Sequence, residues 1–428
     1  MTIGPANSQI TENSTTLEKY ATHSTGQPDS QRQKQKTQLL SCSIANTYSR
    51  FPVTLVRGKG CRVWDDKGKE YLDFAAGVAV CSLGHCHPAV TEAIASQAGT
   101  LVHVSNLYWT VPQLEVAHLL TENSFADRVF FCNSGAESVE GALKLARRYG
   151  HENRGPDCYE VICLEGSFHG RTLATIAATG QPVFQQGFEP MPSGFIHVPP
   201  NSITALKLAA GKRTAAILIE PIQGEGGVRQ VSDEFLLAAR EICDRLGALL
   251  MFDEVQVGMG RTGTLFAYEQ TPVIPDVICL AKALGNGFPI GAMLAKEEVM
   301  SHLPPGSHAS TFGGNLVACA AAKVVIETLM SPGFLDRVKK TGTYLKTGLE
   351  SLASKHPEAI LEARGRGLIQ AIEFRKPVPE LTSKLMEEGF LVLLSQGKIL
   401  RLVPPLIVTE AEIDAMLMAI EDFLQCDP

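Results

Sequence analysis

Short apolar runs alternate with amphipathic stretches from about residue 51 to 325. The runs are Val129–Cys132, Val161–Leu164, Ala215–Ile219, Ala248–Phe252 and Val277–Leu280. Each has the length of a strand and is apolar throughout, the pattern of a parallel strand buried on both faces. Glu234–Leu246 has helical spacing and lies between two of them. This alternation predicts an α/β fold: a large domain with a mostly parallel sheet covered by helices. Upstream, Val53–Val56 and Arg62–Trp64 read as short strands. The turn Asp65-Asp66-Lys67-Gly68 then leads to Tyr71–Phe74 as a hairpin. Downstream, Phe334–Lys355 reads as a helix and Gly367–Phe374, Leu391–Leu394 and Ile399–Leu402 as strands. Ala411–Cys426 reads as a last helix, which makes a smaller α+β domain.

Residues 1–44 show no sustained apolar period and are rich in Ser, Thr, Gln and Asn. They read as a flexible tail. A transit peptide would share the Ser and Thr, but Glu12, Glu18 and Asp29 argue against one. Over 428 residues, 45% hydrophobic and 19% charged composition excludes wholesale disorder, collagen and coiled coil. The net charge of −7 speaks against a nucleic-acid partner. The 11 cysteines, without an apolar leader, suit free thiols in a reducing compartment, hence a cytoplasmic location. The uncharged side chains near residue 100 do not make a membrane span, because His103, Asn106 and Pro112 interrupt them.

Ligands of open α/β sheets sit at the carboxyl ends of the strands. After Val129–Cys132 comes Asn133-Ser134-Gly135-Ala136-Glu137. Ser134 and Glu137 have the spacing of a capping box, and small residues at a helix start expose N–H groups that suit a phosphate. An ordinary capped helix has the same sequence. Ala248–Phe252 ends in Asp253-Glu254, acids that are costly at a buried strand end unless paired. Asp253 suits either a protonated ring nitrogen or a structural ion pair. Val277–Leu280 is followed by Ala281-Lys282. A partly buried lysine loses basicity and becomes a nucleophile for Schiff-base chemistry, although a snorkelling lysine reads alike. Pyridoxal phosphate needs all three: a lysine for its aldehyde, an acid for its ring nitrogen and donors for its phosphate.

Two motifs are discounted. Gly258-Met-Gly260-Arg-Thr-Gly263 matches a dinucleotide fingerprint but lacks the helix that must come after it. Cys81 to His87 has no second ligand cluster, so no metal is expected. Arg401, among apolar residues, reads as a core-edge arginine or a carboxylate anchor.

At these residues the chain resembles the class III, fold-type I aminotransferases, and within them the acetylornithine-type enzymes. The likeness runs from about Tyr48 to the C-terminus. It is carried by Gly84-His-Cys-His-Pro88, Asn133-Ser-Gly-Ala-Glu137, Phe168-His-Gly-Arg-Thr172 and Glu220-Pro-Ile-Gln-Gly-Glu-Gly226. It continues in Asp253-Glu-Val-Gln256, Gly260-Arg-Thr-Gly263, Ala281-Lys-Ala-Leu284 and Ser310-Thr-Phe-Gly-Gly-Asn315. The resemblance implies that Lys282 holds the pyridoxal phosphate aldehyde and shuttles a proton, with Asp253 on the ring nitrogen. Phe168 and Val255 would flank the ring, with His169 beside it, and Gln256 would reach the ring hydroxyl. Ser134, Gly135 and Ala136 would hold the phosphate. Ser310 and Thr311 would serve the phosphate of a neighbouring subunit in a homodimer with shared active sites.

For substrates, the resemblance implies that Arg401 binds the α-carboxylate of glutamate or 2-oxoglutarate. Arg171 would bind a second carboxylate, and Glu225 would screen Arg401 when a terminal amine enters. The implied reaction moves the terminal amine of N-acetyl-L-ornithine to 2-oxoglutarate. Free ornithine, 4-aminobutyrate and succinylated ornithine or diaminopimelate are the alternatives. The implied division is a segment at 45–84 packing with the small domain, a large cofactor-binding domain at 85–329 and a small domain at 330–428. Leu316 departs from the family's usual proline. A non-catalytic relative and a nicotinamide oxidoreductase are the rival readings from other classes.

Overall fold

The computed structural model describes residues 43–426. The expected tail therefore lies, apart from its last two residues, outside the described residues. The chain divides into two compact units: residues up to Arg57 with Trp64–Lys69, and Gly58–Val63 with Glu70 onward. In the first unit the predicted turn is present, with the Gly68 N–H donating to Asp65 O at 3.0 Å. The Arg57 guanidinium lies 4.0 Å over the Trp64 ring.

The second unit is built on a seven-stranded sheet. In chain order its strands are β1 (Arg128–Cys132), β2 (Glu160–Leu164), β3 (Phe195–Val198), β4 (Thr214–Ile219), β5 (Leu249–Asp253), β6 (Val277–Leu280) and β7 (Gly291–Ala295). Their spatial order is β1-β7-β6-β5-β4-β2-β3. Strands β3, β2, β4, β5 and β6 run parallel, and β7 runs antiparallel to both its neighbours.

Both faces of the sheet are buried, and the period-two alternation sorts side chains between them. Ile217, Ile219, Leu250, Phe252 and Ile278 enter one core; Ala216, Leu218, Leu249, Met251 and Val277 enter the other. Each large apolar side chain so buried contributes about 1.5–3 kcal/mol.

Two helices show why the local sequence folds as it does. Helix α1 (Gly135–Arg154) turns Val139, Ala142, Leu143 and Ala146 to the sheet. Helix α2 (Asp233–Leu246) is capped by Ser232, whose side chain accepts from the Phe235 N–H. It begins with Asp233 and Glu234, closes with Arg245, and stops at Gly247 with φ 64°. That order of charge complements the helix dipole.

The C-terminal part holds a four-stranded antiparallel sheet. Its strands are β8 (Ile360–Arg366), β9 (Ile369–Phe374), β10 (Leu393–Ser395) and β11 (Ile399–Leu402), in spatial order β8-β9-β11-β10. Strands β3, β7 and β8 are absent from the sequence expectation. Helices Phe334–Lys355 and Glu410–Cys426 stand where the pattern put them. Asn315 caps helix Leu316–Leu329 by accepting from the Val317 and Ala318 N–H groups, so Leu316 needs no proline to start it. No single helix among the described residues is long and apolar enough to cross a membrane.

Candidate active site

The carboxyl ends of β1, β2, β4, β5 and β6 converge on a cavity of about 380 Å³. Of the residues singled out in sequence, Ser134, Gly135, Ala136, Phe168 and His169 line it. So do Arg171, Asp253, Val255, Gln256 and Lys282. Ser310, Thr311, Glu225 and Arg401 are not in its wall.

The start of α1 forms one side. Ser134 is extended (φ −153°, ψ 166°) and its Oγ accepts the Glu137 N–H at 3.2 Å. The return arm of the predicted box is displaced by one residue: Glu137 accepts from the backbone N–H of Asn133, not of Ser134. Gly135 and Ala136, whose N–H groups come before the intrahelical hydrogen-bond ladder begins, both line the cavity. Gly135 is required by close approach, since a Cβ there would lie 2.7 Å from Val255 Cγ1.

The floor is acidic. Asp253 ends β5, is buried, and accepts from His169 Nδ1–H at 2.8 Å and from the Val255 N–H at 3.0 Å. His169 Nε2 is buried, with no hydrogen-bond partner among the described residues. Glu220, just beyond β4, accepts from the N–H groups of Phe168 (2.8 Å) and Gly224 (3.2 Å). Burial pushes its carboxyl up to about 7, with Asp253 adding to the shift and His169 opposing it. The sequence reading gives Glu220 no role. Its signal was its position: it stands directly after the apolar run Ala215–Ile219, as Asp253 stands after Ala248–Phe252.

Lys282 is joined to β6 through Ala281 and opens a 3₁₀ turn, with its own φ at +43°. Left-handed backbone at a long side chain is strained, and such residues cluster where function over-determines them. Burial lowers the basicity of its ammonium, only partly countered by Glu225.

Behind the cavity, Arg401 is buried on β11 and pairs with Glu225 at 2.9 Å. Its Nη1 also donates to Gln256 Oε1 at 3.4 Å. Burial raises the Glu225 carboxyl, but Arg401, with Lys282 and Gln256, outweighs it and leaves it below the ordinary range. Arg171 is exposed at the cavity mouth, 4.1 Å over the Phe184 ring. The loop with Ser310 and Thr311 is tied to the α1 start, where Asn133 Nδ2 donates to Ser310 Oγ at 3.2 Å.

The discounted motifs have structural explanations. No α-helix directly follows Gly258–Gly263, only a short 3₁₀ turn at Ala267–Gln270. Instead Arg261 is fully buried there and donates to the carbonyls of Leu368 and Pro404. In the Cys81–His87 stretch, His85 Nε2 is 2.7 Å from Asp73 Oδ2, and helix Pro88–Ala98 begins directly after.

Free helix-start donors, a buried carboxylate, a weakly basic lysine and two flanking apolar side chains together fit pyridoxal phosphate. Comparison with known proteins agrees. Residues 43–424 match the family Aminotransferase class-III. An acetylornithine aminotransferase of Caldanaerobacter subterraneus is 50% identical over 382 residues, covering 89% of this chain and 97% of that one. One from Thermosynechococcus vestitus is 50% identical over 386 residues, 88% and 93% of the two chains. Among solved structures, ornithine aminotransferase from Toxoplasma gondii superposes with TM-score 0.88 at 32% identity, covering 98% of this chain and 99% of that one. N-acetylornithine aminotransferase from Stenotrophomonas maltophilia gives 0.77 at 38%, covering 90% and 100%.

Proposed function

The chain belongs to the class-III aminotransferases, pyridoxal-phosphate enzymes of fold type I. From that premise we propose that it moves the terminal amine of N-acetyl-L-ornithine to 2-oxoglutarate. The products are N-acetyl-L-glutamate semialdehyde and L-glutamate, a step of arginine synthesis. The observation that carries this reading is the buried Arg401 paired with Glu225 beside Lys282. An enzyme that takes a terminal amine in one half-reaction and an α-amino acid in the other needs a carboxylate anchor that can be masked. The acyl group is that of the half-identical relatives named above.

When bound, the cofactor supplies an aldehyde for amine exchange and a ring that accepts the electron pair released at the substrate carbon. Lys282 would hold that aldehyde, and its Nζ would be the group that takes up and returns the proton. Burial lowers the basicity of Lys282, which favours the unprotonated amine this task needs. Asp253, fixed by His169, would hold the ring nitrogen in its protonated form. Phe168 and Val255 would confine the ring faces, and Gln256 would serve the ring hydroxyl. The N–H groups of Gly135 and Ala136, with Ser134, would bind the phosphate. Arg401 takes the α-carboxylate of glutamate, and Arg171 takes the carboxylate of N-acetylornithine.

We read residues 85–329 as the cofactor domain and 330–428 as the small domain. The protein is further read as a cytoplasmic homodimer. The free state of the nine cysteines from Cys61 to Cys319 supports the compartment. The exposed run Leu107–Trp109 beside Phe312 supports a subunit face, on which Ser310 and Thr311 would serve the neighbouring phosphate. A second reading, free ornithine as donor, draws on the Toxoplasma superposition.

The test is single-turnover absorbance of the holoenzyme with N-acetylornithine, ornithine, 4-aminobutyrate and glutamate, each alone. Rapid conversion by the first and last, and slow conversion by the others, is expected. Preference for ornithine or 4-aminobutyrate would overturn the substrate. Lys282→Ala is expected to lose the long-wavelength band and turnover together.

A further inference from the structure

Glu225 rides at the tip of a small hairpin. Its arms, Ile222–Gln223 and Arg229–Gln230, pair antiparallel with Gln223 opposite Arg229. The tip is not a relaxed turn. Val228, buried and β-branched, has φ +56°, a conformation that side chains of this kind adopt only when surroundings impose it. Gly227 has φ +100°, and a Cβ there would lie 2.6 Å from Ile399 Cδ1.

What holds the tip comes from the C-terminal sheet. Arg364 Nε donates to Gly227 O at 2.8 Å, and Ser395 Oγ donates to Glu225 O at 3.0 Å. Arg401 Nη1 donates to Gly224 O at 2.9 Å. Behind them stands Glu373 of β9, its side chain 4% exposed. Its carboxylate binds Arg364 at 2.9 Å, Arg229 at 2.8 Å and Lys398 at 2.8 Å. Two of these cations grip the hairpin: Arg364 holds the tip from outside and Arg229 is part of an arm. Neither Glu373 nor its partners line the cavity.

We propose that Glu373, through Arg364 and Arg229, is the positioning residue that holds Glu225 on Arg401 and so sets the preference between terminal-amine and α-amino-acid substrates. This rests on the reading of the Glu225–Arg401 pair given above. A substrate carboxylate must displace Glu225 to reach Arg401. Whatever holds the tip in place therefore adds to the cost of binding an α-amino acid. A terminal-amine substrate brings no carboxylate there and is favoured by the intact pair. Loosening the tip moves the two substrates in opposite directions, because a ligand shifts such an equilibrium only by its differential affinity.

The experiment compares wild-type holoenzyme with Glu373→Gln and Arg229→Gln, reading the glutamate and N-acetylornithine half-reactions separately. Glutarate, a dicarboxylate without an amine, is titrated by calorimetry, and circular dichroism checks folding. In Glu373→Gln the KM for glutamate and the Kd for glutarate are expected to fall, and the KM for N-acetylornithine to rise. The ratio of the two kcat/KM values should shift about fivefold or more toward glutamate. Arg229→Gln, half-exposed, should shift it less and in the same direction. A same-direction change in both substrates, or none in a folded variant, overturns the proposal. If Glu373→Gln does not fold, Arg229→Gln decides. A wild type inert to N-acetylornithine overturns the substrate reading instead, and glutarate affinity then still tests the clamp.

Discussion

Glu225→Gln removes a charge and leaves a shape. The glutamine Oε1 can still accept from Arg401 Nη1, which lies 2.9 Å away in the wild type. At that distance and an effective dielectric near 20, the charge–charge attraction is about 6 kcal/mol gross. More than a quarter of the Glu225 side chain, 27%, is open to solvent. Screening and the retained hydrogen bond reduce the net loss to about 2 kcal/mol. Glutamate must displace this side chain from Arg401, so its KM should fall by about 30-fold. N-acetylornithine loses the counter-charge that masks Arg401 and should weaken. Rapid-mixing absorbance, one substrate at a time, separates the two. If both constants move together, or the glutamate constant stays within about twofold, Glu225 is not the mask and the dual-substrate argument fails.

His85 should make stability fall with alkaline pH. Its hydrogen bond to Asp73, reinforced by Cys81, raises it from 6.5 to about 10. A raised folded-state value gives stability that is complete below 6.5 and lost as pH climbs toward 10. With 22% of the side chain exposed, solvent screening discounts this to about 2 kcal/mol. The difference in urea midpoint between wild type and His85→Gln should therefore shrink across that window, and parallel curves would contradict it. Gly135→Ala places a methyl 2.7 Å from Val255 Cγ1. Cofactor affinity, read by fluorescence titration, should weaken by about tenfold as Val255 is pushed toward the ring, at a cost of about 1–3 kcal/mol. Unchanged affinity would place the phosphate elsewhere.

The strands legible in sequence are those whose burial on both faces leaves a continuous apolar run, such as Ala215–Ile219. Gly291–Ala295 is as deeply buried but is built of Gly, Ala, Met and Leu, a composition poor in β-formers. Small residues are needed there: Ser138 Oγ donates to Ala292 O at 2.7 Å, and a Cβ on Gly291 would lie 2.4 Å from Ser134 O. Ile360–Arg366 escaped for the opposite reason: Glu362 is exposed, Arg364 serves Glu373 and Arg366 donates to the Gln270 carbonyl, so the run is broken by charge. Asp253, Lys282 and the α1 start were legible because each stands at the end of a strand. The strained backbone of Lys282 and the Glu373 clamp were not. One depends on a dihedral angle, and the other on residues that meet only through the chain's tertiary path.

The reversed strand also bears on how this protein could be re-engineered. Because β7 returns against β6, the chain that leaves the sheet at Leu280 is back in it by Gly291, with Pro289 and Ile290 already in the cavity wall. Lys282 thus stands on a short arch fastened at both feet, and Asn286 staples its crown to Leu83 and Gly84. Inserting or deleting residues in that arch would drag the nucleophile with it. Anyone recruiting this scaffold for a different amine would keep the arch as a fixed fixture and vary the hairpin around Glu225, whose shape is imposed from outside and can be reset from there.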